Sequence, residues 1–272
     1  MYYGCPDGGR LVSITIGAGN FVSWDGGCLF ISRRASNIVP VHAHYATQVA
    51  FGSEHGLGFR PSDRDDWTAY DGAVIASRQP HSMDSTQVPF TAVLFVEPET
   101  REGRAIHEKF SAAGISAFPT STLAGTGEAL FATWQERRGS EALIAAARGV
   151  VRTLAGGIGP VTSTDERILR ATAWIRSHLE SPLTLEAVAN EACLSPSRFR
   201  HLFVEEMGMA LRPYILWRRF LLVWDLLASG ATLSSAAHAA GFADAAHLTR
   251  TSRNMFGFPP SALHIAGPLD SP

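Results

Sequence analysis

Lysine is almost missing from this chain: Lys109 is the one lysine among 23 basic residues. A bias that general reads as genomic composition rather than function. Positive charge is not in excess either, with a formal net charge of −2. Residues 165–272 balance 10 arginines against 10 acidic residues. That excludes a strong sequence-independent grip on phosphates, though not sequence-specific contacts made by a local cluster. Cysteine is scarce and odd in number (Cys5, Cys28, Cys193), which excludes a disulfide framework. No apolar run reaches the roughly 18 residues of a membrane span, and no basic stretch leads into an apolar one at the start. The expectation is a cytoplasmic chain with no membrane partner.

What is present is ordinary globular material in two styles. The chain is 46% hydrophobic and its 272 residues allow two domains. Up to about residue 100, short apolar runs alternate with turn signals. LVSITI (11–16), CLFISRR (28–34), NIVPVHAHYATQVAFG (37–52), LGFR (57–60), GAVIASR (72–78) and FTAVLFVEP (90–98) are expected strands. Asp25-Gly26-Gly27 and Asp71-Gly72 are expected turns, and the charged 61–66 segment an exposed loop. This spacing predicts a β-sandwich or small barrel. Residues 101–156 turn helical, with about three helices. Ala142, Ile144, Ala145, Val150, Val151 and Leu154 form a stripe suited either to self-association or to packing on the chain's own β-domain. A Gly/Pro linker at 157–164 then precedes an all-helical segment, 165–265.

The helical segment contains one unit written twice. Leu185 matches Leu233, Ala189 matches Ala237 and Cys193 matches Gly241. One inserted residue later, Phe199 matches Leu248, His201 matches Arg250, Met207 matches Phe256 and Gly208 matches Gly257. Each copy reads as helix, turn, helix; in the second, Ala237 is small where the pair crosses and Gly241 sits where the chain leaving a helix calls for positive φ, while Cys193 is a small residue at the first turn. Thr184 and Ser195 are expected caps, and Pro196 suits a first helical position. In the helix before the repeat, Ile168, Leu169, Ala171, Trp174, Ile175 and Leu179 are the expected buried stripe. The joining helix, expected from Pro213 to Ser229 and ended by Gly230, is apolar on nearly every face and therefore calls for burial all round.

LTLEAVANEACLSPSRFRHLFVEEMG, the joining YILWRRFLLVWDLLASG, and AAGFADAAHLTRTSRNMFGFPP with its closing G-x-x-P resemble the AraC/XylS family of transcription regulators. HAHYATQVAFG and QPH more loosely resemble the cupin-type sensor domain that many members carry. The resemblance implies an α+β two-domain chain: a cupin-like β-barrel or sandwich at 1–100, a helical dimerisation or relay segment at 101–156, and a double helix-turn-helix at 165–265. It implies double-stranded DNA, a small-molecule effector, a homodimer and RNA polymerase as partners. By the family's geometry the second helix of each unit enters the major groove. Ser197, Arg198, Arg200 and His201 face outward in the first, and Ala245, Ala246, His247, Thr249, Arg250 and Arg253 in the second. Arginine can hold guanine bidentately, while alanine and the threonine methyl suit thymine. The arginine-bearing first helix is expected to carry more of the discrimination.

Three departures from the family pattern stand out. Ser252 occupies an aromatic position, Glu205-Glu206 stand where lysine is frequent, and Leu221, Leu222 and Trp224 are apolar where charge is common. The last implies a face docked on the N-terminal domain or on a second subunit. At the front, His42, His44 and His81 form a candidate divalent-metal set with Gln48, rather than a glutamate, nearby. The other reading makes these histidines the polar floor of an effector pocket walled by Trp67, Tyr70 and Phe95. No nucleophile–base pair, phosphate loop or paired carboxylates emerge, so no catalytic residue is assigned. A metal-dependent cupin enzyme and a protein–protein module are the competing functions.

Overall fold

The computed structural model describes residues 18–35, 38–54, 56–156, 165–262 and 264–265. The strand expected at 11–16 and the linker at 157–164 lie outside the described residues. Among the described residues nine strands come first: β1 (Ala18–Trp24), β2 (Gly27–Arg33), β3 (Val39–His42), β4 (Thr47–Gly52), β5 (Leu57–Arg60), β6 (Thr68–Tyr70), β7 (Gly72–Ile75), β8 (His81–Asp84) and β9 (Phe90–Val96). Helix α1 (Arg101–Phe110), strand β10 (Ile115–Phe118) and helices α2 (Thr126–Gln135) and α3 (Ser140–Ala155) follow. The C-terminal half is α4 (Glu166–Ser177), α5 (Leu185–Glu191), α6 (Pro196–Met207), α7 (Leu211–Ala228), α8 (Leu233–Ala239), α9 (Ala245–Phe256) and a two-residue strand, β11 (His264–Ile265).

A seven-stranded sheet in the order β10-β7-β4-β9-β2-β1-β11 faces a four-stranded one in the order β3-β8-β5-β6. Asp25 and Gly26, at φ 99°, make the β1–β2 turn, as the dipeptide demands. The expected 37–52 strand is two strands. It breaks after His42, so His44 and Tyr45 sit on a turn between β3 and β4. His81 opens β8 rather than closing a strand. Strand alternation decides what each face buries. Val49, Phe51, Leu94 and Val96 point from the large sheet to α1–α3, meeting Ile106, Leu130, Phe131, Leu143, Val150 and Leu154. Val150, Val151 and Leu154 are thus spent inside the β-domain, while Ala145 is exposed. The opposite face, carrying Cys28, Ala50, Ala73, Ile75 and Phe95, packs on Leu57, Phe59 and Met83.

That inner core does not stop at the domain boundary. Phe21, Phe30 and Phe95 meet the α7 and α9 aromatics: Phe30 lies edge-on to Trp224 at 5.5 Å, and Phe95 to Trp217 at 5.8 Å. The expected docking of the apolar joining helix is therefore intramolecular. Trp217, Leu221 and Trp224 are buried, and Leu222 is half-buried. The helix starts two residues before Pro213, since a proline in the first turn removes no helical hydrogen bond. Leu169 departs from the expected α4 stripe and is 49% exposed.

The two repeats fold alike. Thr184, Ser195, Thr232 and Asp244 each accept a backbone N–H at a helix start, contacts of about 1 kcal/mol apiece. Cys193 and Gly241 hold the two turns at φ 54° and 74°. At Gly241 there is no room for more: a Cβ would lie 2.5 Å from the Leu179 carbonyl oxygen. Arg219 fastens this turn to the end of α4, donating to Gly241 O (2.9 Å), Leu179 O (3.1 Å) and Ser181 O (3.1 Å). Ser252, fully buried, donates to Phe258 O at 2.8 Å, which accommodates a hydroxyl where its counterpart Phe203 is aromatic.

Candidate nucleic-acid interface and effector pocket

Helices α6 and α9 bury one face and leave the other free, because their apolar residues recur at helical spacing: Phe199, Phe203 and Met207 in one, Leu248 and Phe256 in the other. The opposite face of α6 presents Ser197, Arg198, Arg200 and His201, all exposed, next to Val204 at 43%. On α9, Ala246, Arg250 and Arg253 are exposed, and Ala245, His247 and Thr249 are half-buried. The His247 ring leans edge-on against Phe242 at 5.5 Å. The acidic pair lies inside the last turn of α6 rather than after it, and Glu205 is exposed. Glu206 turns back to accept from Asp165 N (3.2 Å) and to approach Arg104 (4.0 Å). Its charge is therefore directed at the start of α4.

Both outward helices are tied to the β-domain at their C-terminal ends. Tyr45 Oη lies 3.0 Å from Met207 O and 2.6 Å from Glu99 Oε2. Arg78 reaches Gly208 O, and its own N–H donates to His44 O at 2.8 Å. Gly257, just past α9, abuts Pro40 and His42, for a Cβ there would lie 2.9 Å from Pro40 O. Between these ties runs a buried ion pair. Glu97, 3% exposed at the end of β9, accepts from Trp217 Nε1 at 3.0 Å and pairs with Arg218. Burial, followed by the nearby Glu97 charge, pushes the Glu99 carboxyl up to about 8. The Tyr45 hydroxyl is the donor to both the Glu99 carboxyl and Met207 O.

A cavity of about 70 Å³ lies where the two halves meet. Phe21, Phe30, Val93 and Phe95 wall it from the sheet, and Phe256 and Phe258 from the helical half. Its polar points include His42, Gln48, Ser85 and Thr91, and the buried Thr91 Oγ1 has no hydrogen-bond partner among the described residues. Of the three aromatics expected to wall an effector pocket, Phe95 does so. Trp67 is instead 38% exposed beneath Arg60, whose guanidinium carbon lies 4.6 Å from the ring centre. Tyr70 packs on Phe59. The sequence offered no signal for Phe256 and Phe258 as walls, because they read as the apolar end of a recognition helix.

The three histidines do converge. His42, His44 and His81 are buried, and one nitrogen from each lies within 4.8 Å of the others. Each Nδ1 is bonded to a backbone carbonyl: Pro40 O (2.8 Å), Ala46 O (2.8 Å) and Gln79 O (2.9 Å) respectively. Burial holds His42 down to about 4 and His44 to about 3, and lowers His81 well below 6.5, so all three are neutral imidazoles at neutral pH. Three neutral nitrogens and an amide oxygen are a donor set that fits a borderline transition-metal ion.

Comparison with known proteins bears on the helical half first. A helix-turn-helix domain model matches residues 188–264. Multiple antibiotic resistance protein MarA of Salmonella typhimurium is 34% identical over 93 residues, 34% of this chain and 73% of that protein. MarA of Escherichia coli K12 is 35% identical over 88 residues, 32% of this chain and 69% of that protein. Over both halves the chain resembles ToxT of Vibrio cholerae O395, with a TM-score of 0.57 at 11% identity, covering 88% of this chain and 96% of that one. An unsaturated-fatty-acid-bound ToxT from Vibrio cholerae strain SCE256 matches with a TM-score of 0.53 at 10% identity, covering 89% and 94%. Among the described residues no helix is long and apolar enough to cross a membrane.

Proposed function

We propose, since this chain belongs to the AraC/XylS family of DNA-binding transcription regulators, that its two outward helices read successive major-groove segments and that the cavity between the halves receives the effector. Arg200 and Arg250 make the base contacts, with Ser197, His201, Ala245, Ala246, His247 and Thr249 completing the reading faces; Arg198 and Arg253 hold phosphate or reach a base. Two units on one rigid joining helix place these contacts about one helical turn apart.

The observation that carries the effector reading is the shared wall. Phe256 ends the second recognition helix, yet it closes a cavity whose other side is the sheet. A molecule there touches both halves at once, so its affinity must depend on how they are docked. The lining calls for a small, mostly apolar molecule with one or two hydrogen-bonding groups, for which Thr91 Oγ1, unpartnered among the described residues, is available. Self-association through the α1–α3 layer and contact with RNA polymerase rest on family membership alone.

The test fills the cavity from the sheet side. Val93→Trp occupies it without altering any reading residue. Retained folding with a threefold or greater change in DNA affinity is expected. A folded variant with unchanged affinity removes the link between cavity and reader.

A further inference from the structure

We propose that His42, His44 and His81, together with the Gln48 amide oxygen, bind one divalent first-row transition-metal ion, and that this ion fixes the turn on which the ends of both recognition helices rest. The argument begins with the protons. A carbonyl only accepts, so the three Nδ1 contacts to Pro40, Ala46 and Gln79 place the proton of each neutral ring on Nδ1. Every Nε2 then carries a lone pair. Two of them face another acceptor: Gln48 Oε1 lies 2.9 Å from His44 Nε2 and 3.3 Å from His81 Nε2. Lone pairs brought together in a sealed site call for a cation between them.

Turning the Gln48 amide over would give both imidazoles a donor. It would also leave the amide oxygen against the Met83 thioether, which now receives the Gln48 N–H at 3.7 Å. Gln48 is 2% exposed, so that oxygen would lose hydrogen bonding of about 1–3 kcal/mol. A metal ion satisfies all four atoms. The carbonyls behind the rings are the outer-shell partners that fix a ligating histidine's tautomer and orientation. Imidazole and amide donors without thiolate or carboxylate select Zn²⁺, Ni²⁺, Co²⁺ or Fe²⁺ over Ca²⁺, Mg²⁺ or Cu⁺.

The same residues carry the reader. His44 O holds the Arg78 N–H, and the Arg78 side chain holds Gly208 O at the end of α6. Tyr45, next in the chain, holds Met207 O. On the other side His42 Nδ1 would lie 3.3 Å from a Cβ placed at Gly257, just past α9. An ion that draws His42 and His44 together therefore sets the seats of both helices.

The experiment uses the full chain, stripped with a chelator and titrated with Co²⁺ while visible ligand-field absorption is followed. One equivalent is expected to bind. His81→Phe should abolish the bands, and Gln48→Glu should tighten binding, because an anionic carboxylate replaces the neutral amide oxygen beside the cation. Thermal melting identifies a variant that has not folded, and the Gln48→Glu arm keeps its meaning if His81→Phe fails. Sub-stoichiometric Co²⁺, or Gln48→Glu binding no tighter, overturns the site. In a second arm, Zn²⁺ should change DNA affinity at least threefold in the native chain and not in His81→Phe. Stoichiometric Co²⁺ with unaltered DNA affinity overturns the link to the reader. The first arm stands whether or not the effector reading survives.

Discussion

The ion pair between Glu97 and Arg218 is the most exposed point of the domain-docking account, because it can be cut from either side. Glu97 is 3% exposed and the Arg218 side chain 12%. Neither charge has water to turn to, and the Trp217 indole N–H depends on the same carboxylate at 3.0 Å. Glu97→Ala leaves a buried guanidinium without its anion, a loss of about 3–5 kcal/mol. Arg218→Met removes the cation but leaves Glu97 its indole donor, so its cost falls toward the lower end of that range. The double substitution leaves neither charge stranded and should cost less than the sum by about 2–4 kcal/mol. Urea unfolding of the full chain, followed by tryptophan fluorescence, reads this directly because Trp217 and Trp224 are buried at the junction. Strict additivity would refute the reasoning, for it would mean that the two groups do not share one desolvated site.

Three further outcomes follow from the same structure. Glu99, raised from 4.5 to about 8 chiefly by burial, keeps its proton in the folded chain over a range where the unfolded chain has lost it. Its contribution is complete below about 4.5 and drains away as pH rises to about 8. The unfolding free energy from urea titrations should therefore fall across that window by at most about 1.4 kcal/mol per pH unit, and Glu99→Gln should flatten the slope; a slope that persists in the variant contradicts the assignment. At the paired turns, Cys193→Gly should raise stability by up to about 1 kcal/mol by relieving a left-handed side-chain residue at φ 54°. Gly241→Ala should lower it by more than about 2 kcal/mol, since its Cβ would meet the Leu179 carbonyl; thermal melts showing equal effects would count against the steric argument. Phe258→Ala, which opens the helical wall of the cavity, should weaken effector affinity at least tenfold in calorimetry while the DNA affinity of the effector-free chain changes less.

Local chemistry makes the helical half legible in the sequence. Thr184, Ser195 and Pro196 announce helix starts by what their side chains can do, and the repeat aligned Cys193 with Gly241 although they share only a backbone conformation. The H-x-H spacing likewise brought His42 and His44 together with His81, even though the strand expected to carry the pair breaks at His42. What stayed illegible is whatever depends on contacts far apart in sequence. Tyr45, Arg78, Glu97 and Arg218 look like ordinary strand, turn and helix residues until the halves dock, and their partners lie 120 to 162 positions away. Trp67 and Tyr70 stand out in the sequence by residue type alone. Exposure of one and packing of the other on Phe59 come from the edge position of β6, which a sequence pattern does not carry.

DNA binding of the full chain, measured on its own upstream region and on a scrambled duplex across a salt series, tests the central claim most directly. The account predicts a preference of at least about a thousandfold, the lower end of the range of specific over nonspecific binding. Arg200→Ala should cut that preference by about 1–3 kcal/mol, while Arg253→Ala, if it holds phosphate, weakens both duplexes alike and lowers the salt slope by about 1. Equal affinity for the two duplexes, unaffected by Arg200→Ala, would contradict it.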